Sequence, residues 1–190
     1  EVVYCPDQSQ LGEYLPGAQA VLGRGLNADL LAEFPDLIWA HSQGAGVDNF
    51  LFPEMVASDK LLVSNNSGVH ASTIAEHLLG MILHFNRRFN EMVINQRNRV
   101  WKSPEIPVAE LGGQTLAVVG LGDIGHALAV RADALGMRVV GSRRRTLEPM
   151  EGVDRIYAPE DLHEMIAEAD HVVIALPSTP RTQFLFGTDE

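Results

Sequence analysis

The sequence predicts an α/β fold with parallel sheets, and two observations lead to this prediction. Along the first part of the chain, short apolar runs alternate with helical segments and turn residues, a pattern typical of βαβ units. Further on, the apolar run at residues 116–119 leads into the motif Gly-x-Gly-x-x-Gly, formed by Gly120, Gly122 and Gly125. A helical segment and a second apolar run, at residues 138–141, follow the motif. This order of strand, glycine motif, helix and strand is typical of a dinucleotide-binding unit.

The first part of the chain contains four apolar runs that we interpret as buried strands. They are residues 2–4, 20–22, 37–40 and 61–63. Residues 26–33 read as a connecting helix, for which Asn27 is the expected N-cap and Pro35 lies beyond the end. This alternation predicts a parallel sheet.

A long helix is predicted to begin near Ala71. Its apolar side chains fall on one broad face, at Ile74, Leu78, Leu79, Met81, Ile82 and Phe85. Glu76, in the first turns, is expected to complement the helix dipole or to bridge to another element. Pro104 and Pro107 mark a boundary before the glycine motif. Beyond the second strand, a helix at residues 160–167 and a strand at residues 171–176 are predicted.

A polar loop follows the predicted strand at residues 37–40, and it contains Gly44 and Gly46. Loops at the carboxyl ends of parallel strands are where such sheets bind ligands. The two glycines permit a tight backbone arch whose N–H groups point outward, which suits a carboxylate. The alternative is a plain turn in which Asp48 caps the next helix.

Each glycine of the motif has a distinct physical role in dinucleotide binding. Gly120 makes the tight turn out of the strand, Gly122 lets the backbone approach a pyrophosphate, and Gly125 lets the helix pack closely on the strand. The helix N-terminus then offers N–H groups and a favourable dipole to the phosphates. The alternative is an ordinary glycine-rich turn between a strand and a helix.

The end of the second strand predicts NADP(H) rather than NAD(H). A NAD site usually has Asp or Glu about 20 residues after the glycine motif, on the ribose hydroxyls. Here that place holds Ser142, Arg143, Arg144 and Arg145, and no carboxylate appears until Glu148. Arginines offer charge-assisted bidentate hydrogen bonds to a 2′-phosphate, which a carboxylate would repel. The alternative is a solvated basic loop without a ligand.

Composition excludes several classes of protein. The chain of 190 residues carries a net charge of −11, which argues against a nucleic-acid surface. The single cysteine, Cys5, permits no intrachain disulfide and suits a reducing cytosol, so we expect a cytoplasmic protein. No apolar run is long enough to cross a membrane. The seven histidines show no metal-ligand spacing, because even His77 and His84 are a heptad apart, so no metal site is expected.

Several segments in succession carry a resemblance to a known family. They are Gly-Ala-Gly-Val-Asp at 44–48, Ala-Glu-His-Leu-Leu-Gly-Met at 75–81, Trp101, Leu-Gly-Gly-Gln-Thr-Leu at 111–116, the glycine motif, and Leu-Pro-Ser-Thr-Pro-Arg-Thr at 176–182. In this order they resemble the D-isomer-specific 2-hydroxyacid dehydrogenases over nearly the whole chain. With the arginine cluster, the sequence looks most like the glyoxylate/hydroxypyruvate reductase branch, which uses NADPH.

The resemblance implies two domains separated by a cleft. A flavodoxin-like substrate domain would be represented by residues 1–70, and a Rossmann-type cofactor domain, inserted into it, by residues 102–190. Residues 71–101 would form the linking helix and part of a homodimer interface. Both domains would be incomplete: family members usually have a strand and a helix before such a start, and the Rossmann sheet would lack its last strands.

The resemblance also implies a reaction, reversible hydride transfer between nicotinamide C4 and the carbonyl carbon of a small 2-keto acid. The backbone of Ala45 and Gly46 would hold the substrate carboxylate. His70 occupies a position where relatives often place a polar residue that faces the substrate, commonly Asn. The residues implied at the cofactor are Asn66, Gly120, Gly122, Asp123, Ile124, Gly125, Ser142, Arg143, Arg144, Pro177 and Thr182.

The catalytic Arg, Glu and His of the family would lie after the point where this chain ends, and no residue here matches their motifs. The leading expectation is therefore an NADP-dependent 2-keto acid reductase whose catalytic end is not represented. One alternative is a non-catalytic dinucleotide-binding or dinucleotide-sensing protein, as in the corepressor relatives of the family. Another is an inactive truncated product.

Overall fold

The structure is a computed structural model that describes residues 1–47, 50–103, 105 and 107–187. The chain divides into two compact units. The first comprises Glu1–Val69 with Ser178–Pro180, and the second His70–Pro177 with Arg181–Glu190. Each unit has its own parallel sheet, so the predicted α/β class is confirmed.

The first unit contains a parallel sheet of three strands in the order β1-β2-β3. Its strands are β1 (Ala20–Leu22), β2 (Trp39–Ser42) and β3 (Leu62–Asn65), and its helices are α1 (Leu11–Tyr14), α2 (Ala28–Glu33) and α3 (Pro53–Ala57). The predicted cap of α2 is confirmed, because the side-chain oxygen of Asn27 accepts a hydrogen bond from the Leu30 N–H at 2.9 Å.

Only one face of this sheet packs against a core. Ala40 is fully buried there, against a cluster that includes Leu15, Leu37, Met55 and Leu61. On the other face Leu22, Trp39 and Leu62 are 63%, 44% and 71% exposed. The expectation of buried strands was therefore wrong for that face.

The observed strands β2 and β3 also begin later than the apolar runs and extend into polar residues. Backbone pairing joins His41 to Ser64 and Ser42 to Asn65, and this pairing does not depend on apolar side chains. Leu37 and Leu61 instead precede the strands as core residues.

The predicted strand at residues 2–4 was wrong. These residues form no strand and their side chains are largely exposed. In the part of the chain that the structure describes, β1 pairs only with β2, so the segment has no neighbour with which to form a ladder.

The second unit contains a parallel sheet of four strands in the order β6-β5-β4-β7. Its strands are β4 (Thr115–Val119), β5 (Arg138–Ser142), β6 (Arg155–Tyr157) and β7 (His171–Ile174), and its helices are α4 (Ala71–Asn86), α5 (Phe89–Arg97), α6 (Asp123–Ala134) and α7 (Leu162–Ala167). Every residue of the central strand β4 is buried, which explains its uninterrupted apolar sequence.

Helix α4 packs against α6, and Glu76 helps to join them. Arg131 of α6 donates to Ser72 at 2.6 Å and lies 3.8 Å from the Glu76 carboxylate, so the predicted bridge to another element is observed. Ala75, Leu79 and Ile82 form the buried side of α4. Met81 and Phe85, which were assigned to the same apolar face, are exposed.

Three predictions in this unit need correction. The long helix is broken at Arg88, whose left-handed backbone (φ 56°) separates α4 from α5. Strand β6 was not predicted, because it is short and begins with a charged residue. Strand β7 ends at Ile174 rather than at residue 176. The boundary at Pro104 lies outside the described residues.

Candidate functional site

The order of the strands places the glycine motif at a crevice of the second sheet. Strands β5 and β6 lie on one side of β4, and β7 lies on the other. The chain therefore changes direction at the carboxyl end of β4. In open parallel sheets this is the point at which ligands bind.

Two glycines of the motif are required by packing. Gly120 has φ +104°, and a Cβ there would lie 2.7 Å from the carbonyl oxygen of Ala175. A Cβ on Gly125 would collide with the Gly120 carbonyl oxygen and lie 3.0 Å from Val118 Cγ1. The strand exit after β7, the glycine turn and helix α6 are thus in close contact.

Gly122 is different, because the fold does not require a glycine there. Its backbone (φ −89°, ψ −162°) is open to any residue, and a Cβ would meet no protein atom within 4 Å. The free space lies at the N-terminus of α6, where the first N–H groups have no intrahelical acceptor. Asp123 and Ile124 form the start of this helix. The space and the N–H groups fit a bound pyrophosphate.

The end of β5 lies beside the glycine turn. The Leu121 N–H donates to the Ser142 carbonyl at 2.9 Å, and a Cβ on Gly141 would meet Leu121 at 2.7 Å. Ser142 is buried, and the Arg143 N–H donates to the Tyr157 carbonyl at 3.2 Å. The strand end that is predicted to bind the adenosine part of the cofactor is thus hydrogen-bonded to the turn that is predicted to bind the pyrophosphate.

The arginine cluster, Arg143, Arg144 and Arg145, is not neutralised by neighbouring carboxylates. Within the described ranges, none of its side chains has an ion pair or a hydrogen bond. Other arginines of the same unit do pair with glutamates: Arg131 with Glu76, Arg138 with Glu168, and Arg155 with Glu164. Arg143 is half-buried, and Arg144 and Arg145 are exposed. The cluster is therefore available to an anion.

The strand exit after β7 closes the other side of the turn. Leu176 would contact a Cβ on Gly120 at 2.9 Å, and Pro177 follows it on the surface. The Thr182 hydroxyl donates to the Pro177 carbonyl at 2.6 Å, so these two predicted residues are in direct contact.

The predicted carboxylate loop, residues 43–46 in the first unit, has its carbonyl groups engaged. The Asn66 side-chain amide donates to the Gln43 carbonyl at 3.0 Å, the Asn66 N–H donates to the Gly44 carbonyl at 3.2 Å, and the Asn65 side-chain amide donates to the Ala45 carbonyl at 2.6 Å.

The Gly44 N–H donates to Ser42 Oγ at 3.3 Å, whereas the next two N–H groups of the same loop are open to a ligand. Those of Ala45 and Gly46 have no acceptor among the residues that the structure describes, and both residues are exposed. This arrangement fits an anion. Asp48, the alternative helix cap, lies outside the described residues.

A hydrogen-bonded network beneath the loop joins four side chains, those of Trp39, His41, Ser64 and Asn66. Of these four, the sequence predicted only Asn66 as a site residue. The two ring nitrogens of His41 lie 2.8 Å from Ser64 Oγ and 3.2 Å from Asn66 Oδ1. Trp39 Nε1 donates to Ser64 Oγ at 2.8 Å. The available signal was the run of polar residues at the end of each strand, which the parallel register of β2 and β3 brings side by side.

His70 belongs to the second unit, as the residue before α4. Its ring is exposed and makes no capping bond, whereas its carbonyl accepts the Ile74 N–H at 3.0 Å. The predicted contact with substrate therefore stays a prediction, as does the contact of Asn66 with a cofactor.

A cluster of shifted titratable groups lies elsewhere and is structural. The Glu168 pKa is lowered by a hydrogen bond from Arg138 (2.7 Å) and by one from the Tyr157 hydroxyl (2.5 Å). The hydrogen bond to Glu168 also raises the Tyr157 pKa. Arg138 begins β5, at the strand end opposite to Ser142, so this cluster ties α7 to the sheet rather than serving the glycine turn.

The described residues contain neither a membrane-spanning helix nor a metal-binding cluster. None of their helices has the length and apolar character needed to cross a membrane. No grouping of three or more His, Cys, Asp or Glu side chains among them could hold a metal ion.

Comparisons with known proteins agree with this geometry. The chain is 31% identical over 181 residues to the D-3-phosphoglycerate dehydrogenase of Mycobacterium leprae, a match that covers 93% of this chain and 34% of that protein. It is 31% identical over 180 residues to glyoxylate/hydroxypyruvate reductase B of Escherichia coli, covering 91% of this chain and 55% of the relative. It thus spans between a third and about half of the length of these relatives.

A solved structure gives the same assignment. The D-isomer specific 2-hydroxyacid dehydrogenase from Xanthobacter autotrophicus, in complex with NADPH and MES, superposes with a TM-score of 0.68 and 30% identity, covering 86% of this chain and 51% of that one. The profile of the NAD-binding domain of D-isomer specific 2-hydroxyacid dehydrogenases matches residues 79–190. The chain belongs to this family.

Proposed function

We propose that the protein is an oxidoreductase that transfers a hydride between NADP(H) and a small 2-keto or 2-hydroxy acid. The observation that carries the proposal is the open space at Gly122, next to an arginine cluster that has no carboxylate partner among the described residues. When bound, the nicotinamide ring supplies or accepts the hydride. The chain's own residues bind and orient the two reactants.

The preference for NADP(H) rests on charge at the end of β5. Ser142 offers a hydroxyl there, and Arg143 and Arg144 offer guanidinium groups that no residue in the described ranges neutralises. A 2′-phosphate carries the charge that these groups match, and the ribose hydroxyl of NAD(H) does not. The NADPH complex of the Xanthobacter relative supports this preference.

The substrate class rests on the carboxylate loop. The free N–H groups of Ala45 and Gly46 suit a carboxylate, and both curated relatives are named for small acids of this kind. We favour the glyoxylate/hydroxypyruvate class over phosphoglycerate because the arginine cluster suits NADPH. As the family resemblance implies, His70 is proposed to face the substrate, and Asn66, Pro177 and Thr182 are proposed to contact the cofactor.

We further propose the division of the chain into residues 1–70 for substrate, 71–101 as a link, and 102–190 for cofactor. The two compact units support it.

A homodimer through α4 and α5 is supported by their exposed apolar side chains, which include Phe85, Phe89 and Ile94. Sedimentation velocity tests whether the protein forms this homodimer. The single cysteine favours a reducing, cytoplasmic location.

The test of the proposed function combines turnover with charge removal. We expect oxidation of NADPH with glyoxylate or hydroxypyruvate to be faster than reduction of NADP+ with D-3-phosphoglycerate. The double variant R143A/R144A should weaken NADPH binding by at least about tenfold to a hundredfold, because the loss of even one charge-assisted hydrogen bond costs about 1.5–3 kcal/mol. NADH binding should change by less than about threefold.

The control is Arg97→Ala, which removes one positive charge from an exposed position in the last turn of α5. It should leave both affinities unchanged. Equal losses for NADPH and NADH in the double variant would contradict the cofactor assignment. Binding of NADPH without turnover of any acid would favour the non-catalytic sensing protein.

A further inference from the structure

We propose that His41 is a positioning residue for the carboxylate subsite: through the Asn66 side chain it anchors the Gln43 carbonyl, where the arch that carries the Ala45 and Gly46 N–H groups begins. The proposal rests on the proposed function, because it concerns the same loop. All of the residues involved belong to the first unit.

The hydrogen-bond partners determine how the Asn66 amide is oriented. Its Nδ2 lies 3.0 Å from the Gln43 carbonyl, which can only accept, so the amide nitrogen must face that carbonyl. The amide oxygen then faces His41 Nε2 at 3.2 Å. Because this oxygen also can only accept, His41 must carry its proton on Nε2.

The tautomer of His41 in turn determines the rest of the network. With the proton on Nε2, the neutral ring accepts at Nδ1, so the Ser64 hydroxyl donates to it across 2.8 Å. The Ser64 oxygen accepts from Trp39 Nε1 at 2.8 Å. The donors therefore point in one direction, from Trp39 through Ser64 and His41 to Asn66 and the Gln43 carbonyl.

The geometry of the peptide bond determines where the N–H groups of the loop point. In a trans peptide the carbonyl of one residue and the N–H of the next point in opposite directions. The Gly44 carbonyl is bound by the Asn66 N–H, so the Ala45 N–H points away from β3. The Ala45 carbonyl is bound by the Asn65 side chain at 2.6 Å, so the Gly46 N–H points away as well.

His41 matters because Asn66 holds two of the three loop carbonyls. Its side chain binds Gln43 and its main chain binds Gly44. Without His41, the Asn66 amide loses the partner that determines its orientation and is free to rotate about its side-chain torsions. The Gln43 carbonyl then loses its donor, so the start of the arch is held less firmly, and the Ala45 and Gly46 N–H groups that follow it bind a carboxylate less well.

The kinetic test compares three variants. His41→Leu removes the donor to Asn66, and we expect the KM for glyoxylate or hydroxypyruvate to rise about threefold to tenfold, the effect of one net hydrogen bond. The KM for NADPH should not change. His41→Gln, whose side-chain amide can donate to Asn66, should restore the KM to within about twofold of wild type.

The matched control is Trp39→Phe, which removes the first donor of the network and leaves both bonds of His41 in place. It should leave both KM values unchanged. A His41→Leu variant that raises neither KM, or raises both equally, would overturn the proposal, as would a His41→Gln variant no better than His41→Leu.

A second measurement does not depend on turnover. In the 15N NMR spectrum of the wild-type imidazole, we expect a protonated Nε2 and an unprotonated Nδ1, and the opposite tautomer would overturn the proposal. If no keto acid is reduced, the proposed function fails, but the tautomer still tests the arrangement of the network.

Discussion

At the residue scale, the three glycines of the motif serve different purposes, and the contacts of the fold separate them. Gly120 and Gly125 are required by close contacts with Ala175, Val118 and each other. A Cβ on Gly122, by contrast, would meet no protein atom within 4 Å. Packing therefore explains two of the glycines, and ligand binding is the remaining physical explanation for the third.

This difference predicts opposite effects for two alanine substitutions. Gly122→Ala should change the free energy of unfolding by less than about 0.5 kcal/mol, as expected at an exposed site without contacts. It should weaken NADPH binding by about tenfold, because the methyl group occupies space that the pyrophosphate needs. Gly125→Ala should lower the free energy of unfolding by about 2 kcal/mol or more through overpacking.

Urea denaturation and calorimetric titration of the two variants check this prediction. Loss of stability in Gly122→Ala, or unchanged NADPH affinity in that variant, would mean that the glycine serves the fold rather than a ligand.

Local sequence patterns predicted the residues of the glycine turn but not those beneath the carboxylate loop. The turn is continuous in sequence, and its roles follow from spacing. His41, Ser64 and Asn65 become meaningful only through the parallel register of β2 and β3, which joins residues more than twenty positions apart. No local pattern encodes that register.

At the element scale, strands with buried surroundings were predicted best. Strand β4, which is apolar after Thr115, lies in the middle of its sheet, and its bounds were nearly as expected. Strand β6 was missed because it lies at the edge of the sheet and begins with a charged residue, Arg155, so its sequence does not show an apolar run. Helix α5 was not separated from α4, because the left-handed backbone at Arg88 has no glycine or proline to signal it.

The attachment of α7 to the second sheet predicts a pH dependence of stability. The Glu168 pKa lies below the ordinary value for glutamate, about 4.3, chiefly because Arg138 donates a hydrogen bond to it. The stabilisation from Glu168 is therefore fully present above that ordinary value, and it is lost as the pH falls through the lowered pKa. Glu168→Gln should destabilise the protein near neutral pH, and its difference from wild type should shrink in acid.

Free energies of unfolding, measured from neutral pH down to about one unit below the ordinary glutamate pKa, check this expectation. The matched control is Glu151→Gln, an exposed glutamate that has no ion pair among the residues described. A difference between Glu168→Gln and wild type that does not depend on pH would contradict the assigned role.

At the scale of the whole molecule, the chain contains two parallel sheets, each with its own core. The second has the strand order and glycine turn of a dinucleotide-binding domain, and the family profile matches residues 79–190. The first has one apolar face exposed at Leu22, Trp39 and Leu62, although parallel sheets are usually covered on both faces. Alternating apolar runs predicted the sheets, but they do not reveal which face is covered.

The most direct test of the cofactor assignment is the affinity of the wild-type protein for NADPH and for NADH, measured by calorimetric titration in the same buffer. If the arginine cluster binds the 2′-phosphate, NADPH should bind at least about tenfold more tightly than NADH, since one charge-assisted hydrogen bond contributes about 1.5–3 kcal/mol. Equal affinities, or tighter binding of NADH, would contradict the assignment.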